Sequence, residues 1–444
     1  MILNTQFLRP IVGFVKKSSF SSYLLFFSAL LALVIANSPA HPFFREVLYK
    51  EIGFTIGDLR VYKTLLLWIN DGLMSIFFFV VGLELKREII AGELSQPKNV
   101  VMPIVAAIGG LFFPAMIYLA FNSGASAESL NGWGIPMATD IAFALGVLYL
   151  LGPKVPIQLK VFLTALAIID DIGAVAVVAL FYTSDISTIH LLIGFLLLGV
   201  LYALNRFGVR SVVIYGFIGI GGVWLAFLLS GVHATIAAVL VAFTIPATRS
   251  IDKDVYIQQL ELLKEKLKVA NSASHKEFLL SADEENIIGE IKRLSSYSIS
   301  PLQNLEHTMH SFVLFVVMPI FALVNAGVVL EQDWLEMLLS PVSLGVMLGL
   351  LVGKLVGIFG LSFLGLKLGF LKIPENLNNQ MLLGVSFLAA IGFTMSLFIN
   401  SLAFESEMYQ NQAKMGILSA SLIAGFLGYA ILKNALKKIP GAVE

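Results

Sequence analysis

The sequence predicts an all-α polytopic membrane protein of about twelve transmembrane helices, with a small external β-hairpin. Three observations carry this. Hydrophobic residues make up 58% of the 444-residue chain and charged residues 13%, with a mean hydropathy of +0.88; soluble domains carry about 25% charged residues. Apolar runs long enough to cross a bilayer as helix recur along the whole chain. Lys and Arg in the short loops are divided unevenly between two sides, as the positive-inside rule requires.

The runs lie near 20–37, 64–83, 99–121, 135–151, 157–182, 187–205, 211–229, 233–246, 310–330, 341–364, 379–403 and 415–432. The first follows Arg9, Lys16 and Lys17 like a signal anchor, but no small-residue cleavage site succeeds it, so it reads as a retained helix. Between the first two runs, residues 54–62 alternate on either side of Gly57-Asp58, a Gly-first turn that suits a hairpin on the membrane surface. Such a hairpin can pair with a second copy.

The polar stretch 249–300 separates spans one to eight, within residues 1–248, from spans nine to twelve, within 301–444. Val255, Leu260, Leu263 and Leu267 suggest one amphipathic helix there, and Ile287, Ile288, Ile291 and Leu294 another, with Ser281 and Glu284 spaced for a capping box. The stretch is too short and too charged to bury its own core and reads as a cytoplasmic loop.

With the N-terminus cytoplasmic, fifteen loop Lys and Arg fall on that side, against Arg45, Lys50, Arg60, Lys63 and Lys414 on the other. Both termini are therefore expected in the cytoplasm. Absence of cysteine excludes disulfides, thiolate metal sites and cysteine nucleophiles. A net charge of zero argues against nucleic acid as a partner.

The ionisable residues expected to be buried within the runs are few: Asp71, Asp140, Asp170, Asp171, His233 and Lys354. An Asp at the centre of a membrane helix costs about 3 kcal/mol, so the adjacent Asp170 and Asp171 need a function or specific partners. Asp71 lies early in its run, where it either reaches an interface or serves function. His233, in Ser230-Gly-Val-His-Ala-Thr235, reads better as a hydrogen-bonded packing residue than as an ion ligand.

Two runs make poor continuous helix. Gly134-Ile-Pro-Met-Ala-Thr-Asp-Ile-Ala-Phe-Ala-Leu-Gly146 places Gly and Pro ahead of Thr139-Asp140, and Ala389-Ala-Ile-Gly-Phe-Thr-Met-Ser-Leu-Phe398 places Gly392 and hydroxyl residues in mid-span. Broken spans in corresponding places of two halves point to a transporter's central site. Half-helix ends there present partial charges that Asp140 and Lys354 can neutralise. The competing reading is that these glycines only permit close helix packing.

Adjacent helical positions project about 100° apart, so Asp170 and Asp171 can flank one cavity without facing one way. Two like charges in a poorly solvated place favour a proton or a cation on at least one of them. A carboxylate that trades a proton for a hard cation performs exchange. Na⁺ and Li⁺ take oxygen ligands, available from Asp170, Asp171, Thr139 and the carbonyls of an unwound segment, while Lys354 can pair with one Asp when no cation is bound.

Several motifs carry a resemblance. Trp133-Gly-Ile-Pro-Met-Ala-Thr-Asp140, Ala167-Ile-Ile-Asp-Asp-Ile-Gly173, Trp68-Ile-Asn-Asp-Gly72, Val81-Gly-Leu-Glu-Leu-Lys-Arg-Glu88, Ser230-Gly-Val-His233 and Phe321-Ala-Leu-Val-Asn-Ala-Gly327 resemble the bacterial NhaA sodium/proton antiporters over nearly the whole chain. That family is itself a standard example of inverted-repeat transporters with broken helices.

The resemblance implies a twelve-helix inner-membrane antiporter with inverted-topology repeats and two crossing discontinuous helices, unwound around Ala138-Thr139 and around Gly392 and Thr394. It implies Asp171 as the principal cation ligand, Asp170 alternating between a protonated and a Lys354-paired state, and Asp140 with Lys354 balancing half-helix ends. It further implies electrogenic export of Na⁺ or Li⁺ against a larger number of protons, with no cofactor. Glu84, Arg87, His233 and Glu306 match positions tied to pH response, and the hairpin matches the family's homodimer contact. The loop at 249–300 departs from the compact family pattern.

Three other readings compete. A sodium-coupled symporter of an organic anion needs a polar substrate cavity, for which no extra polar set is evident. An intramembrane aspartyl protease needs two carboxylates from separate helices sharing a proton; Asp140 and Asp171 come from separate runs, but the Gly-x-Gly-Asp signature is missing. A structural scaffold leaves the central charges without a purpose.

Overall fold

The computed structural model describes residues 19–56, 59–95, 97–183, 186–273, 280–330, 333–371 and 377–437. Arg9, Lys16, Lys17, Lys372 and Lys438 of the loop-charge count, and the hairpin turn Gly57-Asp58, lie outside the described residues.

Among the described residues, eight helices are long and apolar enough to cross a bilayer: Leu65–Ala91, Val100–Asn122, Ile157–Phe181, Thr188–Arg206, Val212–Ser230, Pro301–Asn325, Pro341–Lys367 and Glu407–Leu436. Three further pairs bend at a short break, Phe20–Ala36 with His41–Tyr49 by 108°, Ala127–Met137 with Ile141–Tyr149 by 40°, and Asn379–Leu388 with Phe393–Ala403 by 44°. Counting each pair as one span gives eleven candidates.

The run near 233–246 forms only Ala234–Thr244, 11 residues, or about 16 Å of rise, short of a full crossing. Pro246 stops it, because the residue before a proline avoids helical geometry and Ile245 is extended with ψ 132°. The run near 310–330 belongs to a helix that begins earlier, at Pro301, with Ser300 capping its first turn.

The helices pack through glycines. Gly349, Gly353 and Gly357 lie one turn apart on Pro341–Lys367, where an added Cβ would meet Pro136 Cβ at 2.8 Å from Gly349, Pro114 Cα at 2.6 Å from Gly353, and the Gly109 carbonyl from Gly357. Small residues at every fourth position let membrane helices approach backbone to backbone. Lys354 sits between two π-helical stretches of the same helix, Gly349–Gly353 and Leu355–Gly360. Such bulges frequently accompany functional sites.

Buried side chains form two clusters. The larger draws on both broken pairs and on the helices holding Phe78, Tyr118, Leu166, Phe321, Leu350 and Ala420. The smaller joins Leu201, Tyr215, Phe227, Val241 and Leu302 around Leu83.

Strands β1 (Glu51–Ile56) and β2 (Leu59–Thr64) form the expected hairpin, antiparallel with Gly53 opposite Tyr62. Helices Lys253–Ala273 and Ala282–Ser298 occupy the polar stretch, the second with the Ser281/Glu284 capping box in place. Leu263 and Leu294 are buried there, and the Tyr256 and Ser295 hydroxyls meet at 3.2 Å.

Candidate functional site

The two helix breaks touch one another. Between Met137 and Ile141 the backbone is extended, with Ala138 at ψ 149° and Asp140 at ψ 95°, because Pro136 and the following Ala-Thr-Asp do not sustain a helix. The Asp140 amide donates to the Ile391 carbonyl at 2.7 Å, so a backbone group freed by one break is satisfied by the other. The Thr139 hydroxyl lies 2.7 Å from the Ala389 carbonyl.

Asp140 serves both half-helices that start here. Its Oδ1 accepts from the Phe143 amide at 2.9 Å, capping Ile141–Tyr149, and its Oδ2 accepts from the Thr394 amide at 3.1 Å and the Thr394 hydroxyl at 2.5 Å. Thr394 is in the first turn of Phe393–Ala403, which follows Gly392. One carboxylate thus sits on two helix N-termini, where partial positive charge offsets it. A side chain at Gly392 would meet Leu350 Cδ2 at 2.9 Å and also Ser396 Oγ, so the break has no room for one.

Asp170 and Asp171 are both buried on Ile157–Phe181, and Asp170 reaches the first break. Lys354 Nζ lies 2.5 Å from Asp170 Oδ2 and 3.1 Å from the Thr139 hydroxyl, with Lys354 and Asp170 both 0% exposed. Thr139 Oγ1 is 2.8 Å from Asp170 Oδ2. Its single proton serves either Asp170 or the Ala389 carbonyl at one time. Asp171 and Asp140 are each 1% exposed. Asp170 Oδ1 and Asp171 Oδ1 are buried without a hydrogen-bond partner among the described residues.

The structure therefore gathers Ala138, Thr139, Asp140, Asp170, Asp171, Lys354, Gly392 and Thr394 into one centre. The residues proposed from the resemblance for pH response lie elsewhere. Arg87 pairs with Glu306 and, at 2.8 Å, with Glu88, while His310 Nδ1 meets Glu84 at 2.9 Å. His233 is apart from both groups, its Nε2 2.8 Å from the Tyr182 carbonyl. Asp71 pairs with Lys63 of β2 at 2.6 Å, at the hairpin end of its helix.

Sequence reasoning missed several residues of the centre's frame. Ser396 donates to the Ile135 carbonyl at 2.8 Å, Ser421 accepts from the Phe393 amide at 3.2 Å, and Tyr182 contacts the 131–137 segment. The glycine repeat flanking Lys354 and the mid-span hydroxyl of Ser396 carried a readable signal; Ser421 and Tyr182 carried none. Among the described residues no three His, Cys, Asp or Glu stand where they could hold a metal together.

Fully buried charge, held where two broken membrane helices meet, defines a membrane transport protein. The chain belongs to the Na⁺/H⁺ antiporter 1 family, whose sequence model matches residues 13–432. It is 46% identical over 434 residues to the Na(+)/H(+) antiporter NhaA of Oleidesulfovibrio alaskensis, covering 97% of this chain and 95% of that one. It is 45% identical over 419 residues to the Na(+)/H(+) antiporter NhaA of Wolinella succinogenes, covering 94% and 92%. It is 44% identical over 429 residues to the Na(+)/H(+) antiporter NhaA 1 of Saccharophagus degradans, covering 96% and 91%. The family expectation drawn from the motifs holds.

Proposed function

We propose that this chain is an electrogenic Na⁺(Li⁺)/H⁺ antiporter that exports sodium against a larger number of entering protons and so controls intracellular pH and sodium. It works by alternating access, with Na⁺ and H⁺ competing for Asp170 and Asp171. The observation that carries the reading is the fully buried Lys354–Asp170 pair beside Asp171 at the contact of two helix breaks.

The charges lead to the chemistry. Three carboxylates face one ammonium group: Asp140 is offset by two helix N-termini and Asp170 by Lys354, which leaves Asp171 without a compensating group. An uncompensated charge in so buried a place is costly enough that a proton or a cation must fill the vacancy. Na⁺ arriving at Asp171 displaces its proton and draws on the second carboxylate, Asp170. Thr139 and the carbonyls of the break supply further oxygen ligands. Asp170 then leaves Lys354, which no longer needs its charge and sheds a second proton. Exchange of more than one proton for each Na⁺ makes the transport electrogenic.

The same reading places twelve spans, with inverted repeats and crossing broken helices, in a bacterial inner membrane with both termini and residues 249–300 cytoplasmic. Arg87, Glu306, Glu84 and His310, with His233, form its pH-responsive part, supported by two ion pairs, Arg87–Glu306 and His310–Glu84. The two-stranded sheet leaves free edges that suit pairing with a second copy in a homodimer.

The test is proton movement in proteoliposomes holding the purified protein. Added Na⁺ or Li⁺ should drive protons across the membrane at neutral to alkaline pH, and Asp171→Asn should abolish the movement. No proton movement with the wild-type protein defeats the antiporter reading, and wild-type rates in Asp171→Asn defeat the site assignment. Organic-anion uptake driven by Na⁺ without proton movement would favour the symporter.

A further inference from the structure

Tyr182 follows the last turn of Ile157–Phe181, the helix that carries Asp170 and Asp171. Its hydroxyl donates to the Asn131 carbonyl at 2.5 Å and accepts from the Gly134 amide at 3.2 Å. Residues three apart are the pair that a 3₁₀ turn joins. The hydroxyl therefore engages both ends of the first turn of Asn131–Met137, the segment that runs directly into Ala138, Thr139 and Asp140. Gly134 gives it room: a Cβ there would stand 2.8 Å from Tyr182 Oη.

The tie has a consequence for the centre. Besides the packing of Phe181 on Trp133, two polar contacts join Ile157–Phe181 and its C-cap to the broken span, Tyr182 on residues 131 and 134 and Asp170 on Thr139. The contacts lie about three turns apart on one helix, so together they fix the register of the extended segment against the aspartates. On its other side Tyr182 is held by His233, whose Nε2 donates to the Tyr182 carbonyl at 2.8 Å. A carbonyl only accepts, so Nε2 carries the proton. The Ala234–Thr244 helix, which begins at His233, is thereby connected to the broken span through one tyrosine.

We infer that Tyr182 is a positioning residue of the ion site, holding Thr139 and Asp140 at their distance from Asp170 and Asp171. This rests on the antiport reading of that site. Tyr182→Phe keeps the ring and removes the hydroxyl. In proteoliposomes containing equal amounts of monodisperse protein it should raise the apparent KM for Na⁺ about five- to tenfold, the worth of one well-placed hydrogen bond, with Vmax changed less than about twofold. A residue that only supports folding would lower Vmax through lost protein and leave KM alone.

Gly134→Ala supplies an independent arm should Tyr182→Phe fail to yield folded protein. The added methyl pushes on the hydroxyl and should raise KM likewise, and the double variant should be no worse than the more affected single one, because both act on one contact. Wild-type KM in either folded single variant overturns the inference. Failure of the wild-type protein to move protons would instead overturn the antiport reading itself.

Discussion

Lys354 is a charged side chain 0% exposed inside the protein, which is tolerable only because Asp170 lies 2.5 Å away and Thr139 accepts at 3.1 Å. Removing one partner of a buried pair costs about 3–5 kcal/mol, because the other charge is left stranded. Lys354→Ala should therefore lower the melting temperature of the purified protein, while residual exchange persists with altered pH dependence as Asp170 takes up a proton. Adding Asp170→Asn should restore most of the lost stability, since no charge then remains unpaired. A Lys354→Ala protein that melts like wild type would show that the pair does not hold this region. At this scale much was legible: charges in apolar sequence are expensive enough to declare themselves, which is how Asp140, Asp170, Asp171 and Lys354 were found. Tyr182 and Ser421 were not, because a hydroxyl at an apolar boundary costs little and its partners are distant in sequence.

At the scale of helices, the structure bends Ala127–Met137 against Ile141–Tyr149 and Asn379–Leu388 against Phe393–Ala403, in the segments where Gly and Pro interrupt the sequence. The expected broken span at 135–151 begins earlier, as Ala127–Met137, because Ser126 caps a short helix that continues as a 3₁₀ segment without apolar periodicity. The helix beginning at Pro301 was likewise read late: its first turns carry Gln303, Asn304, Glu306 and His307, of which Glu306 is buried against Arg87. The glycine repeat beside Lys354 makes a graded prediction. Gly353→Val must displace the Pro114 backbone, 2.6 Å from an added Cβ, and should abolish transport or folding. Gly360→Ala, where the nearest atom is Val356 Cγ1 at 3.9 Å, should be neutral or raise stability by up to about 1 kcal/mol, as alanine favours helix. Melting curves of the two variants decide it, and equal tolerance at both positions would mean that close helix approach at Gly353 is not required.

Over the whole molecule, the helices Leu65–Ala91 and Pro301–Asn325 are tied at both ends. Asn70 and Asn325 exchange amide hydrogen bonds at 2.8 and 3.3 Å, and Arg87 pairs with Glu306. The broken spans are joined by hydrogen bonds to the helices that bear Asp170 and Lys354, while Phe398 of Phe393–Ala403 packs on Phe78 and Phe321 of the tied pair. The helices of the centre and of the Arg87–Glu306 pair therefore share one continuous apolar core. Class, hairpin and family were legible from composition, alternation and motifs; these ties were not, because they depend on contacts between residues more than 200 positions apart.

The account's central claim is that Na⁺ and protons occupy the same carboxylates. The most direct test is proton release from purified, weakly buffered protein on addition of Na⁺, followed with a pH dye alongside radioactive Na⁺ binding. Release that saturates together with Na⁺ binding, and both lost in Asp171→Asn, is the predicted result; saturable Na⁺ binding without proton release would contradict it.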